Sequence, residues 1–156
     1  MKTFQSWTSW SDARSELSSV LTETSCQLLD QAYDYAAAFH ASRDSRLDVS
    51  PIRHKLAMVE ILRAMEVIDT SVLTAALLHD AVGGTTTRHD DLEERFSPQV
   101  VEMAIGSRQP DFMEGVRGRE LRRKYLARLR EAPEGITFIT LADRISSVQC
   151  LDTDQD

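Results

Sequence analysis

Residues 71–82 read SVLTAALLHDAV, and this stretch decides the fold. Val72, Leu73, Ala75, Ala76, Leu77 and Leu78 leave almost no polar face. A helix that is apolar all round belongs in the middle of a domain. Yet it carries His79 and Asp80 near its C-terminal end. Burying a carboxylate beside an imidazole is costly unless each is paired or coordinated. The stretch therefore predicts a central helix with chemistry at its end.

The pattern continues outward on both sides. Asp69 or Thr70 can cap the central helix. Before it, Met58, Ile61, Leu62 and Met65 recur at i, i+3, i+4 and i+7, which predicts a helix over 53–65. The segment ASRDSRLDVSPIR is polar and contains Pro51, and reads as a loop. A first long helix is expected over 17–39, with Leu21, Leu28, Ala32, Tyr35 and Phe39 on one face. Residues 1–16 read as a flexible start, with Trp7 and Trp10 available to dock on the body.

After the central helix, Gly83-Gly84 and three threonines break the chain. A short helix over 90–95 follows, packing Leu92 and Phe96. Ser97-Pro98 starts another, with Ser as N-cap and Pro at the first helical position. Val100, Val101, Met103 and Ala104 face its core. Residues 106–115 read as a loop. Residues 117–130 make a strongly basic helix with Arg117, Arg119, Arg122, Arg123, Lys124, Arg128 and Arg130. A last helix is expected over 136–151, burying Phe138, Leu141, Ala142, Ile145 and Val148, with Asp143 beside that stripe. The organisation is an all-α domain over 17–151, with a flexible segment at 1–16 and an acidic tail at 152–156.

Composition agrees. The chain has 156 residues, 42% hydrophobic and 28% charged, with 6 Gly and 4 Pro. That is a globular balance. A net charge of −7 gives no general attraction for nucleic acid or an anionic membrane, so neither is expected as a partner. The start of the chain has no secretory h-region, no stretch is long enough to span a bilayer, and Cys26 and Cys150 read as reduced thiols. These features lead us to expect a cytoplasmic protein.

The candidate metal ligands are His54, the adjacent pair His79-Asp80, and Asp143. Two imidazoles and two carboxylates are a borderline-to-hard set, suited to Mn, Fe, Zn or Co. Arriving from three helices, they can enclose a cation and leave positions open to water or phosphate. A divalent ion so held lowers the pKa of its water and clamps phosphoryl oxygens.

The segments PIRHKLAMVEIL, TAALLHDAV and FITLADRI resemble those of HD-superfamily phosphohydrolases. The likeness is greatest to the hydrolase domain of RelA/SpoT-type and small alarmone hydrolase proteins. That family's pattern has Y-I-x-H-P, then A-A-L-L-H-D, then L-A-D-R-L-H-N. Phe96, Val100, Val101 and Gly106 are similar to its F-G-x-x-V segment and following glycine, and RELRRKYLARL to its E-N-F-R-K-M-L helix. The resemblance runs from about Ala32 to Leu151. It implies an HD-domain helical bundle with His54, His79, Asp80 and Asp143 as ligands of one divalent ion. Mn is expected first, with Zn, Fe, Co and Mg as alternatives. It also implies an anionic nucleotide or phosphorylated small molecule as partner. Arg46 is similar to an arginine that faces the guanine base, and Arg123 and Lys124 match an R-K pair.

The chain departs from the family at two places. The two acids that follow His-Asp, and that activate the attacking water, correspond to Gly83 and Gly84. The His-Asn after A-D-R-L has become Ser146-Ser147, with Ser147 where the nucleotide-contacting asparagine stands. No catalytic acid or base is therefore assigned. Loss of such a group removes about two to four orders of magnitude in rate. Two readings follow. One is a metal-dependent phosphohydrolase acting on a nucleotide, such as guanosine 3′-pyrophosphate (ppGpp). The other is a catalytically degenerate HD domain that binds metal and nucleotide as a sensor or regulator. A two-metal oxygenase would need more histidines, and only His40 and His89 remain, neither in an obvious ligand position. The Trp-containing N-terminal surface leaves homo-oligomer formation open.

Overall fold

The computed structural model describes residues 3–41, 51–82, 89–110 and 115–153. Among these the chain forms eight helices and no strand: α1 (Trp10–Leu17), α2 (Glu23–Ala41), α3 (Pro51–Ala64), α4 (Thr70–Leu78), α5 (His89–Phe96), α6 (Pro98–Gly106), α7 (Val116–Glu131) and α8 (Glu134–Thr153). The expected all-α bundle is present. Arg46, Gly83 and Gly84 lie outside the described residues. No described helix is long and apolar enough to cross a membrane.

α4 is the centre. The Asp69 carboxylate caps it, accepting from the amides of Ser71 at 2.8 Å and Val72 at 3.3 Å. Residues Val72 to Leu78 are all buried, and α4 packs on α2, α3, α6 and α8. α3 lies mainly along α8. It closes with Glu66 in the left-handed region at φ 62°. The Val67 amide donates to the Leu62 carbonyl and the Glu66 amide to the Arg63 carbonyl, both at 3.0 Å, the paired bonds of a helix-ending turn.

The N-terminal region differs from the expectation. In place of a flexible segment running into one long helix, α1 and α2 are separate. The Ser9–Asp12 pair forms a capping box at the start of α1. The hydroxyls of Ser18 and Ser19 donate back to the carbonyls of Ser15 and Glu16. Such bonds compete with helix continuation, and α2 begins only at Glu23. The face of α2 is also rotated: Cys26, Leu29, Ala32 and Ala36 are buried, whereas Leu21, Leu28, Tyr35 and Phe39 are half-buried. Trp7 is buried, and Trp10 stacks on Tyr33 at 4.7 Å while its indole donates to Asp30 at 2.7 Å.

α8 holds a second correction. Ile136, Ile139, Ala142, Ser146 and Gln149 face inward, while Leu141, Ile145 and Val148 are 46%, 37% and 53% exposed. The inward polar groups have partners that a sequence does not show. Gln149 accepts from the Phe4 amide at 3.1 Å, and Ser146 bonds within the site described below. Those bonds rotate α8 away from its most apolar register. At its start α8 is closely seated. A Cβ on Gly106 would lie 2.6 Å from Ile136 Cδ1, and one on Gly135 would lie 2.8 Å from Met103 Sδ and 3.0 Å from Val72 Cγ2.

α5 and α6 form the remaining wall, burying Leu92, Phe96, Val100, Val101, Met103 and Ala104 as expected. Ser97 caps α6 but sits at φ 81°, ψ 151°, a region that glycine occupies far more readily than serine. The family motif has glycine at this position. α7 is largely exposed, making only slight contact with the other helices.

Candidate metal centre

Three elements meet at the ends that carry polar residues. α3 presents His54 in its first turn. His79 follows the last residue of α4 and keeps helical backbone, φ −55° and ψ −32°. α8 presents Asp143 and, nearly one turn later, Ser146.

One ligand atom each from His54, His79 and Asp143 lies within 4.8 Å of the others. Asp143 Oδ1 is 3.0 Å from His54 Nε2 and 3.7 Å from His79 Nε2. Both imidazoles are held from behind. His79 Nδ1–H donates to the Ala76 carbonyl at 2.9 Å, which leaves Nε2 turned inward. His54 Nδ1 is 2.8 Å from Ser146 Oγ, and the Ser146 hydroxyl donates to the His54 carbonyl at 3.4 Å. With that hydroxyl proton on the carbonyl, Nδ1–H donates to Oγ, and His54 Nε2 keeps its lone pair. Metal-bound histidines are usually oriented by such a bond on the second nitrogen. The three ligand atoms and the two supported rings thus fit a divalent cation.

Asp80 adjoins this trio. Its Oδ1 is 2.5 Å from His79 Nε2, and its Oδ2 accepts from Lys55 Nζ at 3.0 Å. His40 Nε2 stands 3.7 Å from the same Oδ2. Lys55 is fully buried. The family motif has proline at this position, so the ammonium is a feature of this chain.

The electrostatics follow from these contacts. Burial pushes the Asp143 carboxyl upward, but the bonds from His54 and His79 outweigh it, holding Asp143 well below the ordinary carboxylate range. Asp80 is likewise raised by burial and lowered further by His79 and Lys55, ending well below that range. Burial lowers the His79 imidazolium, while Asp143 and Asp80 together raise it more, so its net shift is upward. Burial also depresses Lys55, with Asp80 opposing. Both carboxylates are therefore anionic and available to a cation at neutral pH.

The other expected site residues are placed as follows. Ser147 is half-buried on α8. Arg123 is exposed on α7, and Lys124 pairs with Glu120 at 2.9 Å on the exposed face of that helix. Arg46 lies outside the described residues. Lys55, His40 and Ser146 were not expected at the centre. His40 precedes its partner Asp80 by 40 residues in sequence. Ser146 and Lys55 look like ordinary polar helix residues.

Comparison with known proteins agrees with this geometry. The HD domain family matches residues 32–156. The chain is 28% identical over 136 residues to the bifunctional (p)ppGpp synthase/hydrolase SpoT of Escherichia coli, covering 84% of this chain and 19% of that protein. It is 26% identical over 129 residues to the GTP pyrophosphokinase rsh of Brucella ovis, covering 80% of this chain and 17% of that protein. A similar match, again 28% over 136 residues, is to the guanosine-3′,5′-bis(diphosphate) 3′-pyrophosphohydrolase of Shigella flexneri. The chain thus spans less than a fifth of these relatives. No solved structure matches it significantly. On the family match over most of its length, the chain belongs to the HD domain family.

Proposed function

We propose that this chain is a metal-dependent phosphohydrolase acting on a nucleotide, with a guanosine 3′-pyrophosphate of the ppGpp type as the first substrate to test. The convergence of His54 Nε2, His79 Nε2 and Asp143 Oδ1 carries the reading. Asp80 joins them through Oδ1 as the fourth ligand. A divalent ion there, Mn in the first instance, supplies Lewis-acid polarisation of a phosphoryl oxygen and a water of lowered pKa. The protein's part is to orient both imidazoles and to keep two half-buried carboxylates ionised. Arg46, Arg123, Lys124 and Ser147 are the proposed nucleotide contacts, the basic ones suited to an anionic ligand. The similarity to relatives named as ppGpp hydrolases supports this substrate class.

A second reading is favoured by Gly83 and Gly84. Without carboxylates there, the domain binds metal and nucleotide without turnover, as a sensor or regulator. Pyrophosphate and phosphate release from a nucleotide panel including ppGpp, with Mn added, separates the two. Turnover supports hydrolysis. Tight nucleotide binding without turnover overturns it. Gly83→Glu with Gly84→Asp should raise activity if the glycines alone disable the site.

A further inference from the structure

We propose that Lys55 is a resident counter-cation. Through Asp80 it keeps the metal site assembled in the metal-free protein and weakens the site's hold on a divalent ion. This rests on the metal centre of the reading above, and not on hydrolysis.

The Lys55 side chain is 0% exposed. Lysine is almost never fully buried without a partner, because removing an ammonium from water costs more than a single contact returns. A fully buried Nζ also does not reach a ligand in solvent. Its named partner is Asp80 Oδ2 at 3.0 Å. The opposite oxygen of that carboxylate, Oδ1, is turned to His79 Nε2. One carboxylate is therefore shared between an internal cation on its outer edge and the metal trio on its inner edge.

Counting charge shows what this arrangement does. Asp80 and Asp143 bring two negative charges into a half-buried cluster, and His54 and His79 bring imidazoles that are neutral when they ligate. Lys55 offsets one of the two negatives before any ion arrives. The apo site then has less uncompensated charge to lose by coming apart. The same positive charge opposes an incoming divalent cation. A proline at this position, as in the family motif, does neither.

The test compares wild type, Lys55→Met and the double variant Lys55→Met/Asp80→Asn, each stripped with chelator. Thermal unfolding is read without metal and with Mn, and Mn affinity is read by calorimetry. Breaking a buried pair from one side should lower the metal-free Tm of Lys55→Met by roughly 10 °C. The double variant should recover at least half of that fall, since both charges are gone. Saturating Mn should restore Lys55→Met towards wild type, and its Mn Kd should tighten by about tenfold or more, as expected for removing a nearby like charge in a partly buried site. An unchanged metal-free Tm overturns the proposal. So does a double variant no more stable than the single, or weaker Mn binding by Lys55→Met, which would make Lys55 an orienting group for Asp80. If Lys55→Met fails to fold even with Mn, the double variant decides: folding supports the proposal, and failure overturns it. None of these readouts depends on turnover, so a lack of hydrolase activity leaves the result intact.

Discussion

Ser146→Ala isolates the support behind the metal centre. Ser146 is fully buried, its Oγ is 2.8 Å from His54 Nδ1, and it touches no other candidate ligand by a hydrogen bond. Removing it deletes one orienting bond and leaves His54 Nε2 in place but less fixed. Loss of such a partner weakens metal binding by about 10–100-fold. The stability consequence follows from linkage. With free Mn at 100 times the wild-type Kd, the ion stabilises wild type by about 2.7 kcal/mol. At the same Mn concentration, a tenfold weaker site gains about 1.4 kcal/mol and a hundredfold weaker one about 0.4 kcal/mol. At about 2–4 °C per kcal/mol for a domain of this size, the Mn-induced rise in Tm should fall from roughly 5–11 °C to at most about half of that. Without metal the variant should lose about 1–2 kcal/mol for the buried bond. Differential scanning fluorimetry at fixed free Mn, paired with calorimetric Kd values, measures both. An unchanged Kd and an undiminished Mn shift would refute the assignment of Ser146 as the residue that orients His54.

Further outcomes follow from other parts of the molecule. His79→Ala should abolish stoichiometric metal on elemental analysis, whereas His89→Ala, whose ring nitrogen meets the Val82 carbonyl at 3.2 Å, should retain it. Ser97→Gly should leave stability unchanged or raise it by up to about 1 kcal/mol, because relief of positive-φ strain outweighs a small capping loss. Ser97→Ala keeps the strain, loses the cap and should cost about 1 kcal/mol; chemical denaturation that ranks alanine above glycine would contradict this. The pH dependence of the metal-free protein has a definite sign. Asp80 and Asp143 are depressed, so their contribution is present above the ordinary carboxylate value of 3.8 and is lost as pH falls through their lower folded values. His79 is raised, so its contribution is full below 6.5 and is lost as pH rises through its higher folded value. The site should therefore stabilise the apo protein most between these limits. Added Mn should stabilise it increasingly as pH rises through the raised folded value of His79, where that imidazole gives up its competing proton.

The sequence displayed the fold where one force dominates. α4 has no polar face to confuse its reading, and Asp69 and Ser97-Pro98 announce helix starts by their side-chain chemistry. His54, His79 and Asp143 were legible for a related reason: each is a polar residue set beside an apolar stripe. The misreadings share a cause. Leu141, Ile145 and Val148 have a perfect helical spacing, yet α8 turns Ser146 and Gln149 inward because buried partners wait for them. Lys55 was hidden in the charged run Arg53-His54-Lys55, where a solvated lysine is the ordinary outcome. Leu17 to Glu23 reads as helical by apolar spacing, but the Ser18 and Ser19 hydroxyls bond the backbone and end α1. In each case a specific long-range or side-chain-to-backbone bond overrode periodicity.

The two glycines that seat α8, Gly106 at the end of α6 and Gly135 in the first turn of α8, have a consequence for the metal centre. Gly106 lies under Ile136, and Gly135 against Met103 and Val72, at distances that leave no room for a methyl group. They act as a datum from which the rest of the helix is measured. Asp143 lies eight residues beyond Gly135, about 12 Å along the axis at 1.5 Å per residue. A slip of one residue at the datum would swing that carboxylate about 100° around the helix, while coordination distances tolerate only about 0.2 Å. The alignment of the ion's ligands is thus gauged at a point remote from the ion, by two residues that contribute no side chain at all.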